Sequence, residues 1–219
     1  MKQVIQRIFQ VVFVMGCLQA GRAAVHFGLW RWLQPAQNAV LSNLADMGAY
    51  ITVAVIVWLV FRPSASRVGL DWQGAGRLEK RIYLLAGAVL LAMTFLTYFF
   101  DPAVLVENLK AVWVVPVFEE LVFRGWAWQH IEPAVKGKHA GAITWVAVSV
   151  LFALWHIGYT DIFYLRILPA NPGTKLGDFL INKVIFTFFF GLAVGIPRWR
   201  TGRVYGSILA HGFLNLFGK

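Results

Sequence analysis

Seven predominantly apolar runs, separated by short polar segments, account for most of the 219-residue chain. A helix needs about 20 apolar residues to cross the hydrocarbon core of a bilayer. Strands that cross a membrane would instead alternate polar and apolar residues over about ten positions, and these runs are continuous. The sequence therefore predicts an all-α, polytopic transmembrane helix bundle with about seven spans, at residues 8–33, 44–61, 82–100, 109–130, 141–160, 179–197 and 203–218.

The amino-acid composition indicates that lipid is part of the solvent. Hydrophobic residues make up 59% of the chain and charged residues only 14%, whereas soluble domains carry about 25% charged residues. A water-soluble fold of this size could not bury so much apolar surface. The sequence has no internal repeat, no low-complexity tract and no polar module, so we expect residues 1–219 to form a single integral membrane domain.

The N-terminal run has two interpretations. Lys2 and Arg7 precede an apolar stretch, as in a secretory signal peptide. Arg22, however, fits poorly beside a cleavage site, and the apolar character continues to Leu33. We therefore expect an uncleaved first span, although Arg22 and His26 interrupt it.

The distribution of basic residues predicts the orientation of the bundle. With the N-terminus in the cytoplasm, twelve Lys and Arg residues lie in cytoplasmic segments and five lie outside, and cytoplasmic loops carry such an excess. We expect a cytoplasmic N-terminus, an external C-terminus and insertion in the inner (cytoplasmic) membrane of the cell. The cytoplasmic set is Lys2, Arg7, Arg62, Arg67, Arg77, Lys80, Arg81, Lys136, Lys138, Arg198, Arg200 and Arg203, and the external set is Arg31, Lys110, Arg166, Lys175 and Lys219.

The same distribution argues against nucleic-acid binding. The formal net charge is +10, but a nucleic-acid-binding protein gathers its charge in a basic patch on a soluble module. Here the basic residues are spread over short loops between apolar runs. We expect membrane lipid as a partner and no nucleic acid.

The fourth run contains charged residues that are costly inside a membrane. An ionised side chain at the centre of a span costs about 2.5–3.5 kcal/mol, so Glu119, Glu120 and Arg124 are candidates for function. Glu120 and Arg124 are four residues apart and share a helix face, where the guanidinium fork can grip a carboxylate with two hydrogen bonds. Glu119 points about 100° away and has no partner in its own helix. Pro116 predicts a kink just before the pair.

Polar residues in two further runs complete a possible site. His156 ends the motif Phe152-x-x-x-His156, and His211 and Asn215 share one face of the seventh run. Depth can be counted from the cytoplasmic end of each span at about 1.5 Å per residue. On this count Glu119, His156 and His211 lie roughly 16, 22 and 12 Å deep in the membrane. They can therefore share one layer of the bundle, although three unrelated structural polar groups at similar depth remain an alternative.

These motifs resemble those of a known family. Glu119-Glu120-x-x-x-Arg124, Phe152-x-x-x-His156 and His211-x-x-x-Asn215 are similar, in order, to the motifs of the CPBP family. These are the CAAX-processing and bacteriocin-processing (Abi-type) intramembrane proteases, related to type II CAAX prenyl endopeptidases. The resemblance covers about residues 103–218. Eukaryotic members often carry another histidine shortly after the one matching His156, whereas Gly158 and Tyr159 follow here, which puts a prenylated substrate in doubt.

The resemblance implies an intramembrane endopeptidase acting on a membrane-associated protein or peptide. Glu119 and His156 would activate a water molecule, His211 and Asn215 would stabilise the oxyanion, and Glu120 and Arg124 would support the first motif. Such roles are chemically coherent, because a base makes the nucleophile and donors meet the developing charge.

The cofactor is an open question in the sequence. Glu119, His156 and His211 could hold a divalent metal such as zinc with one open position. The family has been described both as metalloproteases and as glutamate-type enzymes. No His-Glu-x-x-His run occurs, and catalysis without a cofactor is the favoured interpretation.

Two other functional classes fit the same fold. The first is a catalytically silent immunity or interaction protein, which a complete set of candidate residues disfavours. The second is a small transporter, since buried carboxylates and histidines also relay protons, but the inverted repeats of many transporters are absent.

The remaining polar residues in the runs have structural explanations. We expect His26, His130 and His139 at interfaces or in loops. Arg22 would snorkel to the surface or pair with Asp46, and Lys183 would snorkel as well. Asp161 lies beside an external loop, where a charge costs little.

Overall fold

The residues that the structure describes form seven helical rods. The computed structural model describes residues 2–35, 38–99 and 101–218, without the side chain of Tyr98. Every regular element in the described residues is helical, which confirms the predicted all-α class. The rods are α1 (Lys2–Leu33), α2 (Ala39–Phe61), α3 (Arg77–Leu96), α4 (residues 102–131), α5 (Ala140–Ala170), α6 (Leu176–Thr201) and α7 (Tyr205–Phe217).

The rods follow the predicted apolar runs, and most are longer. The α1 and α2 rods begin earlier than predicted, at Lys2 and Ala39, and α5 continues ten residues beyond the predicted span of 141–160. The third rod is shifted, since α3 runs from 77 to 96 rather than from 82 to 100. Two residues of the predictions, Phe100 and Lys219, lie outside the described residues.

Four rods, α1, α2, α5 and α6, are long and apolar enough to cross a membrane. Their surfaces fit a lipid solvent, because large apolar side chains such as Phe9 (71% exposed) and Trp58 (58% exposed) face outward. Charged side chains such as Glu120 and Arg124 are instead fully buried. The chain is therefore an integral membrane protein.

Local sequence signals set the ends of several rods. Asn38 caps α2 by accepting a hydrogen bond from the amide of Leu41 at 3.0 Å. Asp101 does the same for α4 with the amide of Ala103 at 2.8 Å, and Pro102 fits the first turn, where an amide hydrogen is not needed. Gly202 ends α6 with φ +71°, a left-handed conformation that glycine adopts without steric cost.

Two widened segments interrupt α4 on either side of the paired carboxylates. Leu109–Val114 and Leu121–Ala127 are π-helical and flank the α-helical segment Val115–Glu120. The amide of Val115 bonds the carbonyl of Lys110, five residues back. The first π segment ends two residues before Pro116, whose missing amide hydrogen predicted a kink here. Such π segments are frequent at functional sites.

The fifth rod is broken in its middle. It is α-helical up to Trp155, continues as a 3-10 turn over His156–Gly158, and leaves Tyr159 outside any helix. It then resumes at Thr160 and contains a further π segment at Phe163–Ile167. The break places His156 and Tyr159 on irregular backbone rather than on a continuous helix face.

The irregular α4 lies at the centre of the bundle. It contacts α1, α2, α5 and α7, while α6 packs along α5 and against α7. Gly212 makes the α4–α7 contact possible, since a Cβ there would lie 2.7 Å from the carbonyl oxygen of Val112. This close approach brings the motif of α7 onto the motif of α4.

Candidate active site

Glu119 is held by a residue that the sequence did not identify. Its side chain is buried, and its Oε1 accepts a hydrogen bond from the hydroxyl of Tyr159 at 2.8 Å. Its other oxygen, Oε2, lies 4.0 Å from Nε2 of His211. The two oxygens therefore have different environments: one is fixed by a phenol, and the other faces an imidazole across a short gap.

Glu120 and Arg124 form the buried pair that their spacing predicted, with a different geometry. Nη1 of Arg124 donates to Oε1 of Glu120 at 3.0 Å, whereas Nη2 donates to the carbonyl oxygen of Gly191 in α6 at 2.6 Å. The predicted two-point grip on the carboxylate is therefore wrong, because tertiary packing gives one arm of the fork to another helix. The guanidinium also lies 4.6 Å from the ring centroid of Phe152.

His211 lies between the two carboxylates. Its Nδ1 is 2.8 Å from Oε1 of Glu120, which accepts there, and its Nε2 faces Glu119. The rings of Phe152 and Phe190 pack edge-on against the imidazole. Apolar neighbours of this kind lower the local dielectric, which strengthens the hydrogen bonds of the imidazole.

His156 has one ring nitrogen, Nε2, without a hydrogen bond to the described residues. Its Nδ1 lies 2.8 Å from the carbonyl oxygen of Phe152, which can only accept, so Nδ1 carries the proton. In a neutral imidazole the Nε2 atom is then a proton acceptor. The ring lies 4.6 Å from that of Tyr159 and 4.9 Å from that of Phe152.

Asn215 lies at the edge of this group and is half-buried. Its Nδ2 donates to the carbonyl oxygen of Ala111 at 2.7 Å, which ties α7 to the first π segment of α4. The structure thus brings the predicted residues of α4, α5 and α7 into one region. Asn215 is anchored to backbone rather than to another predicted residue.

Two predictions about polar residues outside the motifs are wrong. Arg22 pairs with Asp161 at 2.6 Å rather than with Asp46, and Asp161 is fully buried rather than beside an external loop. His26 is buried too, with Nδ1 2.6 Å from the second oxygen of Asp161. These contacts link residues more than 130 positions apart, which no local pattern reveals.

Lys183 and Asp46 also differ from expectation. The ammonium of Lys183 lies 5.9 Å from the ring centroid of Tyr159, so it approaches the site rather than the surface. Asp46 is paired with Lys110 at 3.1 Å and with Arg166 at 3.2 Å. Lys110 and Arg166, which the sequence assigned to external segments, therefore pair with a buried residue of α2.

The arrangement of possible metal ligands is limited in the described part of the chain. No three His, Cys, Asp or Glu side chains there are grouped to hold one metal ion. Glu119 and His211 approach each other, and the contact of Nδ1 of His211 with Glu120 leaves Nε2 available, which is how metal-binding histidines are commonly held. The zinc interpretation therefore stays a prediction.

The region that carries the three motifs matches a known protein family. Residues 101–217 match the family model of the Rce1-like type II CAAX prenyl endopeptidases. The chain belongs to this family. The resemblance inferred from the motifs is thereby confirmed, and the matched region agrees with the expected 103–218. No curated protein and no solved structure gives a significant match.

Membership of the Rce1-like family supports a peptidase activity, because this is a family of proteases. The matched region comprises α4 to α7 and includes Glu119, Glu120, Arg124, His156, His211 and Asn215. The first three rods lie outside it. Any contribution of α1 to α3 to the site must therefore be argued from the contacts of this chain.

Proposed function

We propose that this Rce1-like protein is an intramembrane endopeptidase that hydrolyses a peptide bond of a membrane-associated protein or peptide. The observation that carries the proposal is the position of His211 between Glu119 and Glu120, with Oε2 of Glu119 free of hydrogen bonds to the described residues. This places a free base and a donor on two sides of one small gap.

In the proposed reaction Glu119 and His156 activate the attacking water. A water molecule about 2.8 Å from both Oε2 of Glu119 and Nε2 of His211 would subtend about 90°, so it would sit beside the 4.0 Å gap. Glu119 accepts one proton as the water oxygen attacks the scissile carbonyl carbon, and Nε2 of His156 accepts a hydrogen bond from the other hydrogen. The proton held by Glu119 then passes to the leaving amine as the carbon–nitrogen bond breaks.

His211 and Asn215 stabilise the oxyanion in this mechanism. Because Nδ1 of His211 donates to Glu120, Nε2 can donate only when the imidazole carries both protons. Glu120 stabilises that cation through its contact with Nδ1, and Arg124 orients Glu120 by donating to the same carboxylate oxygen. Asn215 uses one amide hydrogen on Ala111 and retains a second one for the oxyanion.

Substitution of the proposed base tests this assignment. We expect Glu119→Gln to reduce kcat by about 10²- to 10⁴-fold, as for loss of a general base. We expect His211→Ala to reduce it by about 10²- to 10³-fold, as for loss of an oxyanion donor. His156→Ala should also lose activity, whereas His139→Ala, an exposed histidine, should behave as wild type.

The substrate can be found in the same experiment. Membranes of a deletion strain, complemented with wild type or with Glu119→Gln, are compared for new protein N-termini. N-termini that require the wild-type chain identify the substrate and the scissile bond. If Glu119→Gln yields the same N-termini as the wild-type chain, the proposed base is wrong. If Glu119→Gln restores the growth phenotype of the deletion strain without any cleavage, the protein acts as a silent interaction protein.

We further propose that catalysis does not require a metal ion. The support is chemical, since Glu119, His156 and His211 each have a role in water activation or oxyanion binding. Cleavage by purified protein should persist after dialysis against a chelator, and elemental analysis should find less than one zinc per chain. Loss of cleavage on chelation, with recovery on zinc addition, would contradict this.

We also infer a seven-span topology in the inner membrane, with the N-terminus in the cytoplasm and the C-terminus outside. The basic residues of the loops support it. The α7 rod has only 13 residues and is about 20 Å long, so its span requires flanking residues or a locally thin bilayer. Alkaline phosphatase fused at the C-terminus should be active. Activity of a fusion in the loop after α2 instead would reverse the orientation.

A further inference from the structure

A chain of hydrogen bonds connects the first two rods with Glu119. The Tyr159 hydroxyl has one hydrogen, and it donates that hydrogen to Oε1 of Glu119 at 2.8 Å. The hydroxyl of Tyr50, in α2, lies 2.6 Å from the hydroxyl of Tyr159. Because the hydrogen of Tyr159 is already used, Tyr50 is the donor in this contact. The direction of donation is therefore from Tyr50 to Tyr159 to Glu119.

Arg22 of α1 holds the two phenol rings together. Its Cζ lies 5.0 Å from the ring centroid of Tyr159 and 5.5 Å from that of Tyr50. Desolvated contacts of this type are the stronger class of cation–π interaction. The guanidinium is fully buried, and its position is fixed by Asp161 at 2.6 Å and by Oε1 of Gln19 at 3.0 Å.

The backbone around Tyr159 requires this support. Tyr159 lies outside any helix, directly after the 3-10 turn that breaks α5. A Cβ at Gly158 would collide with the side chain of Gln19 in α1, so α1 lies directly against the break. With no helix to fix its direction, the Tyr159 side chain is oriented by what packs against it.

We infer that α1 and α2 complete the active site: Arg22, anchored by Asp161, holds the Tyr50–Tyr159 pair so that Tyr159 fixes Oε1 of Glu119 and leaves Oε2 for the attacking water. Arg22, Tyr50 and Tyr159 are then positioning residues. The inference rests on the proposed function. It assigns a role to two rods that lie outside the region matching the family.

The effect of each phenol can be measured on a quenched fluorogenic peptide that spans the cleavage site mapped from the N-terminus comparison. We expect Tyr159→Phe to lower kcat about 10- to 100-fold, as for a lost hydrogen bond to a charged group, with KM nearly unchanged. Tyr50→Phe should lower kcat less, about three- to tenfold, because it acts through Tyr159. The matched control is Tyr164→Phe, at an exposed tyrosine of the same rod, and it should be silent.

A double-mutant cycle separates positioning from general stability. Arg22→Lys keeps the charge but cannot reach Gln19 and Asp161 together, and we expect it to lower kcat about tenfold. In a Tyr159→Phe background the same change should lower kcat no further. If Arg22→Lys fails to fold, the charge-balanced pair Arg22→Gln with Asp161→Asn replaces it in the same cycle.

The outcomes distinguish this inference from the proposed function. Wild-type kcat for Tyr159→Phe, together with an inactive Glu119→Gln, overturns the inference and leaves the protease assignment in place. An active Glu119→Gln overturns the assignment of the base, and the absence of any cleavage by the wild-type chain overturns the proposed function itself. Equal effects of Arg22→Lys with and without the Tyr159 hydroxyl show that Arg22 does not act through Tyr159, which also overturns the inference.

Discussion

Replacing Arg124 by Met tests how the buried charges of the site are held. Arg124 and Glu120 are fully buried, and their ion pair is 3.0 Å long. Removing one member of a buried pair costs about 3–5 kcal/mol, because the remaining charge stays buried without compensation. At 1.4 kcal/mol per factor of ten, the folding equilibrium constant should fall about 100- to 4,000-fold. Unfolding in mixed detergent micelles, followed by tryptophan fluorescence, measures this change.

The matched variant combines Arg124→Met with Glu120→Gln. It leaves no uncompensated charge, and the new amide oxygen can still accept from Nδ1 of His211. We expect it to lose only about 1–2 kcal/mol, for the lost hydrogen bonds, including the one to Gly191. Arg81→Met, at an exposed arginine, should stay within about 0.5 kcal/mol of wild type. Equal destabilisation of the single and double variants would refute the argument from an uncompensated charge.

Three further predictions follow from packing. Gly125→Ala should destabilise the protein by about 1–3 kcal/mol, because the new Cβ would lie 2.7 Å from the carbonyl oxygen of Val68. Gly87→Ala is the control in the same unfolding assay, and it should be neutral or stabilising, because its Cβ would lie 3.7 Å from Cδ2 of Leu209. Lys110→Met should lower the free energy of unfolding less than Arg124→Met does, since Asp46 keeps Arg166 as a second cationic partner. An equal loss of stability would contradict this. Intact-mass measurement of C-terminally tagged protein from membranes should show α1 retained, because its buried arginine pairs with α5; a mass lacking about two dozen N-terminal residues would show cleavage, as in a signal peptide.

The helical class and the candidate motifs could be predicted because both depend on local sequence. Continuous apolar runs reveal spans by their length. A four-residue spacing places Glu120 and Arg124 on one helix face whatever surrounds them, and their pair forms as expected. Charges in an apolar run also stand out, which is why residues of all three motifs were identified.

The hydrogen-bond partners could not be predicted, because they come from other helices. The sequence suggested that Arg22 would reach the surface or pair with Asp46, whereas the fold brings it to Asp161, 139 residues away. Tyr159 carried no signal beyond its place after His156, since a tyrosine in an apolar run is unremarkable in a membrane protein. Its role arises from the break in α5 and from α1 packing against that break.

The sequence by itself thus determined that the chain is a helical membrane protein with a Glu, His and Asn motif set, since hydropathy and helical periodicity are properties of neighbouring residues. Only the tertiary structure decided which oxygen of Glu119 is fixed, which arm of Arg124 leaves its carboxylate, and where His211 lies. These depend on π segments, a broken helix and glycine contacts that set the distances between rods. Helix packing, not local pattern, places the hydrogen-bond donors of the site.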